Sequence, residues 1–251
     1  MLVDLNADLG EAWNDRSTAD DVALLEVVTS ANVACGFHAG DPETMARTVA
    51  AAAARGVAVG AHVSYRDREG FGRRFLDVPP LRLRDETADQ LDAVATACLV
   101  AGTRLAYVKP HGALYHAICT NQAHAEAVVA AIAAFDPRLP LLGLPDTIAT
   151  RLAADAGLTT VVEAFADRAY TADGGLVPRT GDGAVLHDPE AVAVRMLELV
   201  TTGELAAVDG TRLAIPARSI CVHGDSPGAV AMARAVRSRL FAAGVTLARF
   251  A

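Results

Sequence analysis

The side chains that could do chemistry in this sequence mostly follow short apolar runs that are typical of β-strands. They are Asp8, His38, His62, Lys109 with His111, Asp167 with Arg168, and His223 with Asp225. Histidines and carboxylates on neighbouring strands can ligate a divalent metal that activates water. Imidazoles near their ordinary pKa of about 6.5 can instead exchange protons with a substrate. Because each residue follows a different strand, sequence spacing does not decide between the two, and Asp8, His38 and His62 remain candidate metal ligands.

Lys109 is the only lysine among the 22 basic residues of the chain. A sequence that uses arginine almost everywhere is expected to keep a lysine where a compact point charge or an amine with a tunable pKa is needed. We therefore expect Lys109 to stabilise negative charge that develops on a substrate. The alternative is a lysine retained by chance on a solvated surface.

The segment from Ser30 to Pro42 combines a buried strand, a loop with Gly36 and Gly40, and the start of a helix. Asp41 followed by Pro42 is typical of a helix N-cap with proline in the first turn. The free N–H groups of that helix would lie beside His38, where an anion could be held.

The rest of the chain alternates strands with helices, which predicts a parallel sheet. We predict seven main strands at 2–8, 30–35, 57–61, 104–108, 139–143, 159–165 and 218–222. Predicted helices cover 20–28, 42–55, 84–101, 123–135, 146–156 and 188–200, and a further one starts at Ser226-Pro227. Residues 63–80 read as a lid or a long loop, 203–217 as an irregular excursion, and 245–249 as a short final strand. This pattern indicates an α/β fold of one domain, residues 1–251, with a closed or nearly closed parallel barrel of about seven strands.

In such a barrel the carboxyl ends of the strands converge on one face, where active sites lie. Four of the seven histidines follow predicted strands and are expected to share a pocket there. The other three, His116, His124 and His187, fall in helices or loops and are expected to be structural.

Composition limits the classes of partner. The chain has 251 residues, 52% of them hydrophobic and 5% aromatic, with a formal net charge of -8. That charge argues against binding to nucleic acid or to an anionic membrane surface. Neither a targeting segment nor a membrane-spanning run is visible, and the four cysteines have no paired spacing, so we expect reduced core thiols in a cytoplasmic protein.

Seven segments together carry a resemblance to a known family. They are DLNADLGE at 4–11, SANVACGFHAGDP at 30–42, GAH at 60–62, GFGRR at 70–74, VKPHGALY at 108–115, EAFADRAY at 163–170 and CVHGD at 221–225. In this order they resemble the LamB/YcsF family over nearly the whole chain. The resemblance implies a deformed, TIM-like β/α barrel of the glycoside hydrolase/deacetylase type.

The resemblance also implies an activity. It predicts a cytoplasmic cyclic amide hydrolase that opens 5-oxo-L-proline to L-glutamate with ATP and Mg²⁺, releasing ADP and phosphate, in a complex with B and C subunits. Two alternatives remain open: a metal-dependent deacetylase of a sugar or small amide, and a non-catalytic subunit that captures the substrate. Whether the protein itself binds a divalent metal is left undecided by the sequence.

The expected roles follow from the strand-end positions. The expected catalytic residues are Asp8, His38, His62, Lys109 and His111. The expected substrate or phosphate ligands are Asn6, Arg168, Arg179, His223 and Asp225. The family usually has cysteine where this chain has Ala7, which weakens any role for a thiol there, and Pro-Gly where this chain has Val63-Ser64.

Overall fold

The computed structural model describes residues 1–12, 20–224 and 228–251. The strands are β1 (Leu2–Leu9), β2 (Ser30–Ala34), β3 (Ala58–Val63), β4 (Leu105–Pro110), β5 (Leu141–Gly143), β6 (Thr160–Phe165), β7 (Glu204–Ala206), β8 (Arg212–Ala214), β9 (Ser219–Val222) and β10 (Thr246–Leu247). The helices are α1 (Asp21–Leu25), α2 (Pro42–Ala53), α3 (Pro80–Val100), α4 (Gly112–Thr120), α5 (Gln122–Phe135), α6 (Ile148–Asp155), α7 (Pro189–Thr202) and α8 (Ala229–Ala242).

Seven parallel strands close into a barrel, in the order β1-β2-β3-β4-β5-β6-β9. Closure depends on β1, which pairs with β2 on one side and with β9 on the other. Asn6 is opposite Ser30 in one register and opposite Cys221 in the other. β10 extends the sheet beside the first residues of β1. The predicted α/β barrel of about seven strands is therefore confirmed.

The alternation of β1 separates the two sides of the barrel wall. Its odd-numbered residues are apolar and belong to the main hydrophobic core: Val3, Leu5, Ala7 and Leu9. Its even-numbered residues Asp4, Asn6 and Asp8 contact polar side chains of other barrel strands instead. Since side chains of a strand alternate between faces, the inside of this barrel receives polar groups and the helices pack on the apolar outside.

Helix starts follow their capping residues. The Asp41 side chain accepts a hydrogen bond from the Thr44 N–H at 2.7 Å, and Pro42 begins α2 as predicted. Asp188 caps α7 in the same way, ahead of Pro189. The predicted Ser226-Pro227 helix start lies outside the described residues. No helix within the described ranges combines the length and apolar character that crossing a bilayer requires.

Two elements differ from the sequence expectations. Residues 112–120 form α4, which was not predicted because it starts at Gly112 and has no side-chain cap. The segment 203–217 contains an antiparallel ribbon of β7 and β8, whose strands of three residues are too short to show periodicity. The expected long loop is confirmed over 64–79, although α3 already begins at Pro80.

Candidate functional site

A pocket of about 450 Å³ opens at the carboxyl ends of the barrel strands. Its wall includes Asp8, His62, Lys109, His111, Phe165 and His223 from the strand ends. Arg73, His116, Arg168 and Arg179 from the following loops and α4 complete its polar lining. The convergence of strand-end residues that the sequence predicted is thus found in the folded chain.

One side of the pocket is built on four buried residues that we call the histidine cluster: Glu11, His38, His62 and His111. The rings of His38 and His111 stack with centroids 3.9 Å apart and planes 6° apart. The His62 ring stands edge-on to both, 5.5 Å from His38 and 4.9 Å from His111. Glu11 Oε1 lies 3.0 Å from His38 Nε2 and 3.8 Å from His111 Nε2.

The loop 64–79 holds this cluster in place. Phe71 packs edge-on against the rings of His38 and His111 at 5.6 Å. A Cβ on Gly72, whose φ is +64°, would lie 2.7 Å from His111 Nδ1 and 2.8 Å from His38 Cβ. The loop is shaped by the buried Asp67 carboxylate, which accepts hydrogen bonds from the Gly70 N–H and from Arg74. The close approach requires glycine at position 72, which explains part of the GFGRR segment.

The neighbouring side of the pocket is formed by the lysine network: Lys109, Asp8, Glu163, Asn6 and Cys221. The Lys109 ammonium is 2% exposed and lies 3.0 Å from Glu163 Oε2 and 3.5 Å from Asp8 Oδ1. It also donates to Asn6 Oδ1 at 3.3 Å and to Cys221 Sγ at 3.0 Å. The two carboxylates compensate the charge of the buried ammonium, which would otherwise be costly to remove from water.

The pKa values of Lys109, Asp8 and Cys221 reflect the charges around them. Burial alone would lower the pKa of Lys109, but Asp8, Cys221 and Glu163 outweigh it and hold that pKa well above its usual range. Burial alone would raise the pKa of Asp8, and the Lys109 ammonium, together with the contact to His62, holds that pKa well below its usual range instead. Burial raises the pKa of Cys221. At neutral pH the site therefore contains an ammonium, a carboxylate and a protonated thiol.

Asn6 lies beneath the pocket, and its side-chain amide is hydrogen-bonded to other residues of the protein. Its Nδ2 donates to Ser219 Oγ at 2.7 Å, and its Oδ1 accepts from Asn32 at 2.7 Å as well as from Lys109. Asn32 in turn accepts from the Tyr107 hydroxyl and donates to Asp8. Asn6 thus positions Lys109 and Asp8, and its atoms are not among those that line the pocket.

On the third side of the pocket, His223 Nδ1 lies 2.7 Å from Asp167 Oδ1, and the imidazole stacks on Phe165. The Arg168 guanidinium donates to the carbonyl oxygens of Val177 and Ala184, so it holds the loop that carries Arg179. Arg179 makes no hydrogen bond or ion pair with any residue of the described ranges. Asp225, which the sequence singled out with His223, lies outside those ranges.

Burial in the histidine cluster disfavours the charged form of its imidazoles. Burial, reinforced by neighbouring imidazoles, holds the pKa values of His38 and His111 well below the ordinary histidine value. Among the described residues, two groups of side chains have ligand atoms within 4.8 Å of one another: the histidine cluster, and Asp8 with Cys221 and His223. The predicted ligand set of Asp8, His38 and His62 is divided between them, although Asp8 Oδ1 lies 3.2 Å from His62 Nε2.

Sequence reasoning overlooked several residues of the site. Glu11 and Glu163 were not singled out by the sequence, although both lie in segments that carry the family resemblance. A carboxylate within an otherwise apolar strand is the signal that could have pointed to Glu163. His116, expected to be structural, lines the pocket because α4 begins directly at the site.

Comparisons with known proteins agree with this architecture. The LamB/YcsF family matches residues 3–251. The 5-oxoprolinase A subunit of Mycolicibacterium gilvum is 55% identical over 248 residues, covering 99% of this chain and 98% of that protein. That of Streptomyces avermitilis is 55% identical over 250 residues, covering 100% of both. The crystal structure of the lactam utilization protein from Thermus thermophilus has a TM-score of 0.94 at 43% identity, with 100% of both chains covered. The chain therefore belongs to the LamB/YcsF family.

Proposed function

We propose that this chain is the A subunit of a cytoplasmic 5-oxoprolinase, which opens 5-oxo-L-proline to L-glutamate. The observation that carries the proposal is full-length identity of 55% to relatives named as 5-oxoprolinase A subunits. A solved relative named as a lactam utilization protein supports the same substrate class. In this proposal the reaction uses ATP with Mg²⁺ and requires B and C subunits.

The chemistry explains why ATP is needed. A lactam carbonyl is a poor electrophile, so we propose that its oxygen attacks the γ-phosphorus of ATP and ADP leaves. Water then adds to the activated ring carbon, and the C–N bond breaks as the nitrogen takes a proton. The resulting acyl phosphate is cleaved by a second water to give glutamate and phosphate. Every step creates or moves negative charge, which the pocket must balance.

Lys109 is proposed to provide that balance. Its ammonium lines the pocket and is held by Asp8 and Glu163, so its position is fixed before substrate binds. A preorganised cation in a water-poor site stabilises a developing oxyanion or a phosphoryl group more strongly than the same charge in water. Asp8 at the pocket wall, with His38, His62 and His111, is proposed to move the protons of water attack and of C–N cleavage.

The substrate carboxylate is proposed to bind Arg179. This guanidinium lines the pocket and makes no hydrogen bond or salt bridge to a described residue, whereas the Arg168 guanidinium donates to two backbone carbonyl oxygens. A guanidinium can bind a carboxylate through two parallel hydrogen bonds. His223, held by Asp167, lies on the same wall and is proposed to contact the substrate or phosphate.

The test is the release of glutamate and phosphate from 5-oxoproline, ATP and Mg²⁺. It compares the purified chain alone with a mixture containing candidate B and C subunits. We expect coupled release in the mixture, and Arg179→Gln should raise KM for 5-oxoproline more than it lowers kcat. Absence of release from any folded mixture, or ATP-independent hydrolysis of acetylated sugars by the chain alone, would contradict the proposal and favour a deacetylase.

A binding-only subunit makes a different prediction in the same assay. There, substitution of His62 or His111 would weaken binding of 5-oxoproline without a separate loss of turnover at saturating substrate. We expect the opposite, a fall in kcat that saturation does not restore.

A further inference from the structure

His223 and Asp167 are brought together by the pairing of β6 with β9. In that register Phe165 is opposite Cys221, and the Ala166 N–H donates to the Cys221 carbonyl oxygen at 2.9 Å. Asp167 and His223 each follow their paired residue by two positions, so both lie at the same end of the barrel. The imidazole stacks on the Phe165 ring with centroids 5.4 Å apart and planes 16° apart, which fixes its orientation.

The contact with Asp167 determines which ring nitrogen of His223 carries the proton. His223 Nδ1 lies 2.7 Å from Asp167 Oδ1. Burial alone would raise the pKa of Asp167, but the contact with His223 and the charge of Arg179 hold that pKa below its ordinary value. An ionised carboxylate can only accept a hydrogen bond, so Nδ1 donates and Nε2 of the neutral ring has a lone pair.

The lone pair of Nε2 is available to a ligand. This atom makes no hydrogen bond or ion pair with any residue of the described ranges, and His223 lines the pocket. One ring nitrogen of His223 and one carboxylate oxygen of Asp8 lie within 4.8 Å of each other. Because a hydrogen bond spans about 2.8 Å, one water molecule can bridge two polar atoms at this separation. A water that donates to both groups keeps its own lone pairs for attack on a substrate.

The histidine cluster is less suited to take a proton from water. Both ring nitrogens of His38 contact protein groups, Ser64 Oγ at 2.9 Å and Glu11 Oε1 at 3.0 Å. Burial holds the pKa values of His38 and His111 well below the ordinary value, so both rings resist protonation. Among the described histidines, His223 alone combines a hydrogen bond to a carboxylate with a place on the pocket wall.

We propose that His223 is the general base for water attack on the activated lactam, and that Asp167 is its positioning residue. The inference rests on the proposed 5-oxoprolinase function, which supplies the electrophilic ring carbon. The water oxygen bonds to that carbon, the π electrons of the C=N bond of the phosphorylated lactam move to nitrogen, and the released proton passes to His223 Nε2. The Asp167 carboxylate compensates the imidazolium so formed. Asp8 orients the water, and the histidine cluster serves proton transfer in C–N cleavage.

Imidazole rescue in the assembled complex tests the base role. His223→Ala should lower kcat for glutamate release by about 100-fold or more, with little change in KM for 5-oxoproline. Added imidazole should restore kcat by about tenfold or more, because it can occupy the space left by the side chain and accept the proton. His187→Ala, at an exposed position, should match the parent and should not respond to imidazole. A raised KM without rescue would assign only binding to His223 and overturn the proposal.

His223→Gln separates the chemistry from the fold. Its side-chain amide can still donate to Asp167, so Tm should stay close to that of the parent complex. The kcat should fall as in His223→Ala, and imidazole should not restore it, because the glutamine side chain fills the space. A kcat equal to that of the parent would contradict the base role.

Asp167→Asn tests whether Asp167 acts through His223. Alone, it should lower kcat by about tenfold or more with little change in KM. Combined with His223→Ala, it should lower kcat no further than His223→Ala does alone, because the ring that it orients is gone. A further loss in the double variant would show a separate structural role and contradict the positioning role.

The assay distinguishes this inference from the proposed function. If the parent complex releases glutamate and phosphate while His223→Ala keeps its kcat, only the base assignment fails. If the parent complex releases neither, both fail.

A measurement on the chain alone needs no turnover. Long-range ¹H–¹⁵N correlation NMR of protein labelled with ¹⁵N-histidine should show the neutral His223 ring with its proton on Nδ1. The signal is assigned by its absence from the spectrum of His223→Gln. A neutral ring with the proton on Nε2 would overturn the proposal, because that nitrogen could not accept a proton from water.

Discussion

The lysine network and the histidine cluster lie side by side in the barrel mouth and meet where His62 Nε2 approaches Asp8 Oδ1 at 3.2 Å. In the lysine network, a protein cation lies between the carboxylates of Asp8 and Glu163. In the histidine cluster, three imidazole rings pack together beside one carboxylate, that of Glu11. The first region is a network of buried charges, whereas in the second burial and neighbouring imidazoles disfavour charge on His38 and His111.

This difference predicts that the two regions contribute unequally to stability and to function. A buried charge that loses its partner destabilises the fold, so residues of the lysine network should affect the free energy of unfolding. In the histidine cluster, burial holds the pKa values of His38 and His111 low, so these rings are neutral at neutral pH and changes there should affect binding and turnover more than folding. The following variants test that division, in order of decreasing expected effect.

Lys109→Met gives the largest expected effect. It removes the cation between Asp8 and Glu163 and leaves buried carboxylates uncompensated, so unfolding should become easier by about 3–5 kcal/mol. Turnover of the assembled complex should be lost as well. Urea unfolding at neutral pH measures the change, and Arg47→Met, on the exposed face of α2, should stay within about 0.5 kcal/mol of the parent. Equal stability of the two variants would contradict the charge-balance explanation.

A double-mutant cycle tests whether Lys109 and Glu163 interact energetically. The Glu163 carboxylate is buried and lies 3.0 Å from the Lys109 ammonium, so the two groups form a buried ion pair. Glu163→Gln combined with Lys109→Met should therefore destabilise less than the sum of the two single changes, by about 2 kcal/mol. Additive effects, measured by the same unfolding assay, would mean that the two residues do not interact energetically.

Gly72→Ala tests the histidine cluster. The added methyl group would displace His111 or His38, in addition to straining a backbone with φ of +64° by about 1–2 kcal/mol. Gly102→Ala is the matched control, because its φ is +69° and nothing lies within 4 Å of the added atom. We expect a larger loss of stability in Gly72→Ala, because buried rings must also shift, and at least a tenfold greater loss of activity. Equal activities would show that the cluster tolerates displacement.

Asp67→Asn gives the smallest expected effect and depends on pH. Burial alone would raise the pKa of Asp67, but hydrogen bonds from Arg74 and Gly70 lower it below the ordinary value of 3.8. The ionised carboxylate thus stabilises the fold above about pH 4, and this contribution disappears as pH falls through the lower folded-state pKa. The parent should exceed the variant by about 0.5–1 kcal/mol at neutral pH and match it in acid. A pH-independent difference in unfolding free energy would contradict the assignment.

The sequence predicted the barrel well because local patterns repeat along the chain. Alternation in β1 and the Asp41-Pro42 capping signal each depend on neighbours in sequence. α4 escaped prediction because Gly112 opens it without a capping side chain. The β7–β8 ribbon escaped because its strands pair only with each other over three residues.

By itself, the sequence determined the order of the barrel strands and of most helices, the family, and the placement of His38, His62, Lys109, His111 and His223 at strand ends. Only the tertiary structure decided which of them act together, because the partners are far apart in the chain and meet through barrel closure. The tertiary structure places Glu11 beside the histidines and Glu163 beside Lys109. It also places the Arg168 guanidinium where it donates to backbone carbonyls of the following loop. Contacts of this kind depend on register and strand order, which local sequence patterns do not encode.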